Sequence, residues 1–134
     1  MPDGSDWTRI SIITPSYNQG QYIEETIRSI LLQGYPNLEY IIIDAGSTDQ
    51  TVEIIKEYEM FLSYWVSESD NGQAHAINKG LSLCTGEIFN WINSDDFLSM
   101  NALSTIALAF TKEYDLLAGA CRNFYDGTED FHVV

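Results

Sequence analysis

Short apolar runs that stop abruptly at polar residues alternate along this chain with segments whose apolar positions recur every three to four residues. Ile10-Ser11-Ile12-Ile13 is the first run and ends at Thr14-Pro15. Leu38-Glu39-Tyr40-Ile41-Ile42-Ile43 is the second, apolar on both faces near its end, as a covered parallel strand must be. Residues 61–66 make a third run, and residues 87–92, with Ile88, Trp91 and Ile92, a fourth. Between them, Ile23, Ile27, Ile30 and Leu31 mark one stripe of a helix that Gly34-Tyr35-Pro36-Asn37 stops. Val52, Ile55 and Tyr58 mark a second helix, and Ala74, Ile77 and Leu81 a third that ends near Thr85-Gly86. Residues 100–112 predict a fourth. Asn18 with Gln21, and Ser47 with Gln50, have capping-box spacing ahead of the first two helices. Residues 115–121 read as a fifth strand, and Asp126-Gly127 as a hairpin turn into Phe131-His132-Val133-Val134.

Strands alternating with helices of this length predict right-handed βαβ units. The expected class is therefore α/β, a Rossmann-like, mostly parallel sheet with helices on both faces. Residues 1–8 are expected to be a disordered lead-in with Trp7 against the domain, and residues 9–134 one domain. Ligands of such sheets bind beyond the carboxyl ends of the strands, near the switch in strand order. Polar clusters fall at those ends here: Ser16-Tyr17-Asn18, Asp44, Asp70-Asn71-Gly72 and Asn93-Ser94-Asp95-Asp96. Their convergence, more than any one motif, is the functional signal.

Composition narrows what the clusters bind. At 134 residues with 45% apolar positions the chain has the makings of one packed core. Twenty acids against six bases leave a net charge of −14, which excludes a nucleic-acid groove and an anionic lipid surface. An acidic protein still binds an anionic nucleotide when a metal ion lies between them. No apolar run reaches the roughly 18 residues of a membrane span, and the N-terminus has no signal-peptide pattern. Cys84 and Cys121 lack metal-like spacing and read as thiols of a reducing compartment, with one disulfide left open. The expected location is the cytoplasm.

Adjacent carboxylates at a strand end repel, and a hard divalent cation such as Mg²⁺ or Mn²⁺ removes that cost. For Asp95 and Asp96 the competing reading is a cap on the following helix. Side chains alternate along a strand, so unless the backbone turns there only one of Asp95 and Asp96 is expected on the metal and the other on a ribose hydroxyl. Tyr17 offers a π-face for a base, or packs in a turn; Asp44 accepts from ring N–H or ribose groups, or stabilises a turn. No G-x-G-x-x-G or P-loop follows the first strand, so backbone amides do not cradle phosphate here. His75 has no partner at ligand spacing and reads as structural. Lys79 reads as a helix-end cation rather than a phosphate contact.

In order, "SIITPSYNQGQYIEETIRSI", "YIIIDAGSTDQT", "DNGQAHAINKG" and "TGEIFNWINSDD" resemble the N-terminal half of family-2 glycosyltransferases, inverting enzymes of the GT-A fold. The resemblance runs from about residue 9 to 119. It implies that Pro15 and Tyr17 line a base pocket and that Asp44 holds uracil or ribose. It matches Asp95 and Asp96 to a DxD-type motif with Asp96 on the metal, and Asp70 and Gly72 to a donor-side loop. Ala45 stands where many members have a second acid, and His75 where an Asp is frequent. The implied donor is a nucleotide-diphospho-sugar, foremost a UDP-sugar, and the implied acceptor a saccharide or lipid-linked hydroxyl in cell-envelope polysaccharide synthesis, with the full enzyme at the inner face of the membrane. The general base lies far beyond the metal motif in this family, and Asp115, Asp126, Glu129 and Asp130 match no such motif. The expectation is thus a truncated chain that binds donor without turnover and dimerises through surface left exposed. The alternatives are a non-catalytic nucleotide-binding module and a sugar nucleotidyltransferase of related fold.

Overall fold

The computed structural model describes residues 1, 4–110, 113, 115–124 and 131–133. In chain order they form β1 (Ile10–Ser16), α1 (Ile23–Leu31), β2 (Leu38–Asp44), α2 (Thr51–Glu57), β3 (Tyr64–Ser67), α3 (Gln73–Leu83), β4 (Ile88–Trp91) and α4 (Ala102–Ala109). β1 to β4 make one parallel sheet in the order β3-β2-β1-β4, so the predicted α/β class and Rossmann-like parallel sheet are the ones observed. β5 (Arg122–Phe124) and β6 (Phe131–Val133) pair antiparallel in a separate ribbon. The Asp126-Gly127 turn expected between them lies outside the described residues.

The strands alternate strictly. Ile10 and Ile12 of β1 and Tyr40 and Ile42 of β2 face one side, where they pack with Ile23, Ile27 and Ile30 of α1, Ile55 of α2 and Leu103 and Ala107 of α4. Ile13, Ile41 and Ile43 face the other side and meet Ala76 of α3. All the isoleucines of this set are essentially water-free, and each contributes roughly 2–3 kcal/mol by burial. α3 comes so close that a Cβ on Gly80 would stand 2.7 Å from the Ile13 side chain. Ahead of β1, Trp7 packs edge-on against Tyr35 at 5.3 Å, and the Tyr35 hydroxyl donates to the Thr8 carbonyl at 2.6 Å.

Several local expectations are corrected. Residues 115–121 form no strand: Leu116 is 83% exposed, and an apolar stretch that stays in solvent gains nothing by extending. The third strand begins at Tyr64 because Glu59–Phe61 form a 3₁₀ turn that leaves Met60 and Phe61 in solvent. Neither capping box forms. Asn18 turns away from α1 to accept from the Thr48 N–H at 2.9 Å, and Ser47 donates to Asp44 at 2.5 Å. Asp49 serves α2 instead, its Oδ1 accepting from the Thr51 N–H at 3.0 Å and its Oδ2 from the Gly20 N–H at 2.9 Å. A tertiary partner displaced the expected cap at Asn18, whereas at Ser47 the end of β2 did.

At the amino ends of the strands, Glu39 is buried among donors. Its carboxylate accepts from Ser11 Oγ at 2.5 Å, Thr85 N–H at 2.7 Å, Thr85 Oγ1 at 2.8 Å and Arg9 Nη2 at 3.1 Å. Burial alone would raise its pKa, but these donors together bring it down to about 2. The network ties β1, β2 and the turn before β4 into one end of the sheet, opposite the functional edge.

Candidate functional site

A cavity of about 580 Å³ opens at the carboxyl edge of the sheet, within the range of small-ligand pockets. All four parallel strands feed it: Pro15, Ser16 and Tyr17 from β1, Ala45 after β2, Ser69, Asp70 and Gly72 after β3, and Asn93, Ser94 and Asp95 after β4. Gln19 and, on α3, Gln73 and Ala76 complete the wall. It spans the point where strand order turns from β1 outward to β4, as the topology requires.

The first wall is held by its neighbour. Asn18 adopts a left-handed conformation (φ 49°), its N–H donates to Ser47 Oγ at 2.7 Å, and the Gln19 N–H donates to Thr51 Oγ1 at 3.0 Å. These bonds spread the loop after β1 over that after β2 and leave Tyr17 58% exposed at the rim. Asp44 is placed differently from the other expected contacts. Its carboxylate is fully buried and accepts from Gly46 N–H, Ser47 N–H and Ser67 Oγ at Oδ2, and from Ser47 Oγ at Oδ1. It braces the end of β2 against β3 and does not line the cavity; Ala45, beside it, does.

Asp70 accepts from the Gly72 N–H at 2.8 Å through Oδ1, while its Oδ2 is buried without a partner. Gly72 caps α3 at φ 104°, a conformation that excludes a side chain without strain. Lys79 pairs with Glu68, which accounts for its charge without a phosphate. Among the described residues the buried side-chain polar atoms with no hydrogen-bond partner are Asp70 Oδ2, Ser16 Oγ and Arg9 Nε. Two of these three belong to the cavity wall, where a ligand would satisfy them.

After β4 the chain folds back. The Asp96 N–H donates to the Asn93 carbonyl at 3.0 Å, closing a turn over Ser94 and Asp95, and the Asp96 carbonyl accepts from Thr26 Oγ1 at 2.6 Å. Strand alternation therefore no longer decides which acid faces the ligand. Asp95 lines the cavity, whereas Asp96 is exposed beside it with Oδ2 accepting from Asn93 Nδ2 at 3.2 Å. Asn93 Oδ1 in turn accepts from Gln73 Nε2 at 2.5 Å, joining the turn to α3. The helix-cap reading of the two acids fails, because α4 starts only at Ala102 with Asn101 as its N-cap.

Of the residues expected in the site, the fold brings Pro15, Tyr17, Asp70, Gly72 and Asp95 to one cavity and keeps Asp44 and Asp96 out of its wall. Ser16 and Asn93 were visible in the sequence only as members of the strand-end clusters, without a role of their own. Gln73, the first residue of α3, carried no signal. Among the described residues no three His, Cys, Asp or Glu side chains converge as a protein-only metal cage. A hard ion that takes most of its ligands from a diphosphate and water needs only one or two carboxylates. Asp95 and Asp96, with the Asn93 amide between them and α3, supply such hard oxygen donors on one rim, so the donor set fits Mg²⁺ or Mn²⁺.

A parallel sheet ordered β3-β2-β1-β4 with a polar cavity at its carboxyl edge makes a Rossmann-like α/β domain, the arrangement of GT-A enzymes. The family model "Glycosyl transferase family 2" matches residues 11–134, and the chain belongs to that family. It is 33% identical over 127 residues to the glycosyltransferase GlyG of Streptococcus pneumoniae, covering 92% of this chain and 42% of that one. The crystal structure of Staphylococcus aureus TarS 1–349 with UDP-GlcNAc superposes with a TM-score of 0.68 at 30% identity, over 75% of this chain and 30% of TarS. The mannosyltransferase PcManGT of Pyrobaculum calidifontis, solved with GDP-Man and Mn²⁺, superposes with a TM-score of 0.67 at 29% identity, over 80% of this chain and 36% of that one. The chain thus spans less than half the length of these relatives. Among the described residues no helix is long and apolar enough to cross a membrane.

Proposed function

We propose that the cavity binds the nucleotide-diphospho-sugar donor of an inverting glycosyl transfer. The observation that carries this reading is the convergence of all four parallel strand ends on one cavity whose wall holds the unpartnered Ser16 Oγ and Asp70 Oδ2. Tyr17, exposed at the rim, offers its ring to the base. Asp70 and Ser16 accept from or donate to sugar and ribose hydroxyls, and Gly72 lets the backbone approach them closely. Asp95 and Asp96 are the residues that would hold Mg²⁺ or Mn²⁺. The ion, when bound, would offset the charge of the leaving diphosphate, which a wall of acids in a chain of net charge −14 cannot do itself. Asp44 serves the donor indirectly, by fixing the loop that carries Ala45 and Ser47.

In the transfer, an acceptor hydroxyl gives its proton to a carboxylate and its oxygen bonds to the sugar C1. The bond from C1 to the phosphate oxygen breaks on the opposite side, and the nucleoside diphosphate leaves with its electron pair. The cavity of this chain supplies the donor side of that reaction. The reaction is placed on the cytoplasmic side, where nucleotide sugars are available.

Calorimetric titration of UDP, GDP and their sugars, with and without Mn²⁺, tests the reading. Metal-dependent affinity for one nucleotide is expected. Equal heats with and without Mn²⁺ would leave a non-catalytic, metal-independent nucleotide-binding module in its place, and no heat for any nucleotide would overturn the reading altogether.

A further inference from the structure

His75 holds the loop that forms one wall of the cavity. Gly72 is the N-cap of α3, so His75 is the third helical residue, where a capping box places Glu or Gln. Its Nδ1 accepts from the Asn71 N–H at 3.1 Å, one residue ahead of the cap. A backbone N–H only donates, so the neutral ring carries its proton on Nε2 and keeps the Nδ1 lone pair for the loop. The next N–H, that of Gly72, is held by Asp70 Oδ1 at 2.8 Å. Side chains therefore anchor these two successive backbone donors, leading into a glycine that has little conformational preference of its own. The two wall residues Asp70 and Gly72 flank Asn71 directly.

We propose that His75 is a positioning residue for the donor cavity: its imidazole Nδ1 fixes loop 70–72 by holding the Asn71 N–H, and removing that acceptor loosens the loop and weakens donor binding. This rests on the nucleotide-sugar reading of the cavity. The charged groups on the surrounding elements do not substitute for the lost acceptor. Asp70 in the loop already accepts from Gly72, Lys79 one turn along α3 pairs with Glu68, and Asp95 belongs to the turn after β4.

The test uses His75→Asn, whose Oδ1 stands in for Nδ1, and His75→Ala, which has no acceptor. The probe is UDP-N-acetylglucosamine with Mn²⁺. At about pH 8 the parent and His75→Asn should bind alike, and His75→Ala about 3- to 10-fold more weakly, the worth of one hydrogen bond. Binding by His75→Ala as tight as the parent's overturns the proposal. Amide exchange of Asn71 gives a readout that needs no nucleotide: protection should persist in His75→Asn and fall in His75→Ala. Equal protection in both overturns the anchor itself. Failure of every form to bind the probe at pH 8 refutes the nucleotide reading instead, and amide exchange still decides the role of His75 in the loop.

Discussion

Asp95 and Asp96 show how little separates a ligand-facing acid from its neighbour. A single turn bond, Asp96 N–H to the Asn93 carbonyl, puts Asp95 in the cavity wall and leaves Asp96 held by the Asn93 amide. Replacing the acid that grips the ion by Asn should weaken Mn²⁺-dependent UDP binding roughly 10- to 100-fold, and the other replacement far less. Titrations of Asp95→Asn and Asp96→Asn with UDP at fixed Mn²⁺ distinguish the two. Glu39 works at the opposite end of the sheet and on stability alone. Its folded pKa, about 2, lies below the ordinary 4.5. Its contribution is therefore complete above about pH 4.5 and is lost as pH falls from there towards 2. By linkage it amounts to at most about 3 kcal/mol. Urea unfolding of Glu39→Gln should show lower stability than the parent at pH 7, with the difference shrinking towards pH 2.5. A difference that does not change with pH would show that the Ser11, Thr85 and Arg9 donors do not favour the anion.

The elements were readable from periodicity where burial enforces it. β1 and β2 were legible because Ile10, Ile12, Ile13 and Ile41 to Ile43 are sealed on both faces, and α1 because Ile23, Ile27 and Ile30 meet the sheet along one stripe. Element ends were less legible, since Asn18 and Ser47 bond each other's loops and not the nearest helix terminus, and Asp49 took the place of the predicted cap at α2. Residues 115–121 had a strand's composition without a strand's burial. Close packing of α3 on β1 gives a direct test at this scale. Gly80→Ala gains about 1 kcal/mol of helix propensity. The new methyl, however, meets the fully buried Ile13 side chain at 2.7 Å, and overpacking costs about 1–3 kcal/mol. Chemical denaturation should find a net loss of about 1 kcal/mol, and an increase in stability would mean that Ile13 can repack.

For the whole molecule, four strand ends meeting at one cavity make donor binding and folding two sides of one equilibrium. A ligand that binds only the folded chain raises its stability by about 2.7 kcal/mol at a concentration one hundred times Kd. Thermal unfolding with saturating UDP-sugar and Mn²⁺ should therefore show a raised Tm, and EDTA should remove most of the increase. A Tm unmoved by nucleotide at any metal concentration would contradict the proposed site. The acidic balance of the chain bears on the same experiment, because a net charge of −14 repels a diphosphate unless a cation accompanies it.

By itself the amino-acid sequence determined the alternation of strands and helices, the parallel sheet that follows from it, and the polar clusters at the strand ends, because burial on both faces leaves a periodic imprint along the chain. Tertiary structure decided what those clusters do. Asp44 and Asp95 are both acids just past a strand, yet one is sealed by four hydrogen bonds and the other faces the cavity. His75 is one exposed histidine on a helix until the Asn71 N–H is found against its Nδ1. Side-chain direction at a turn, and the choice among hydrogen-bond partners distant in sequence, depend on where other loops come to rest, and no local pattern records that.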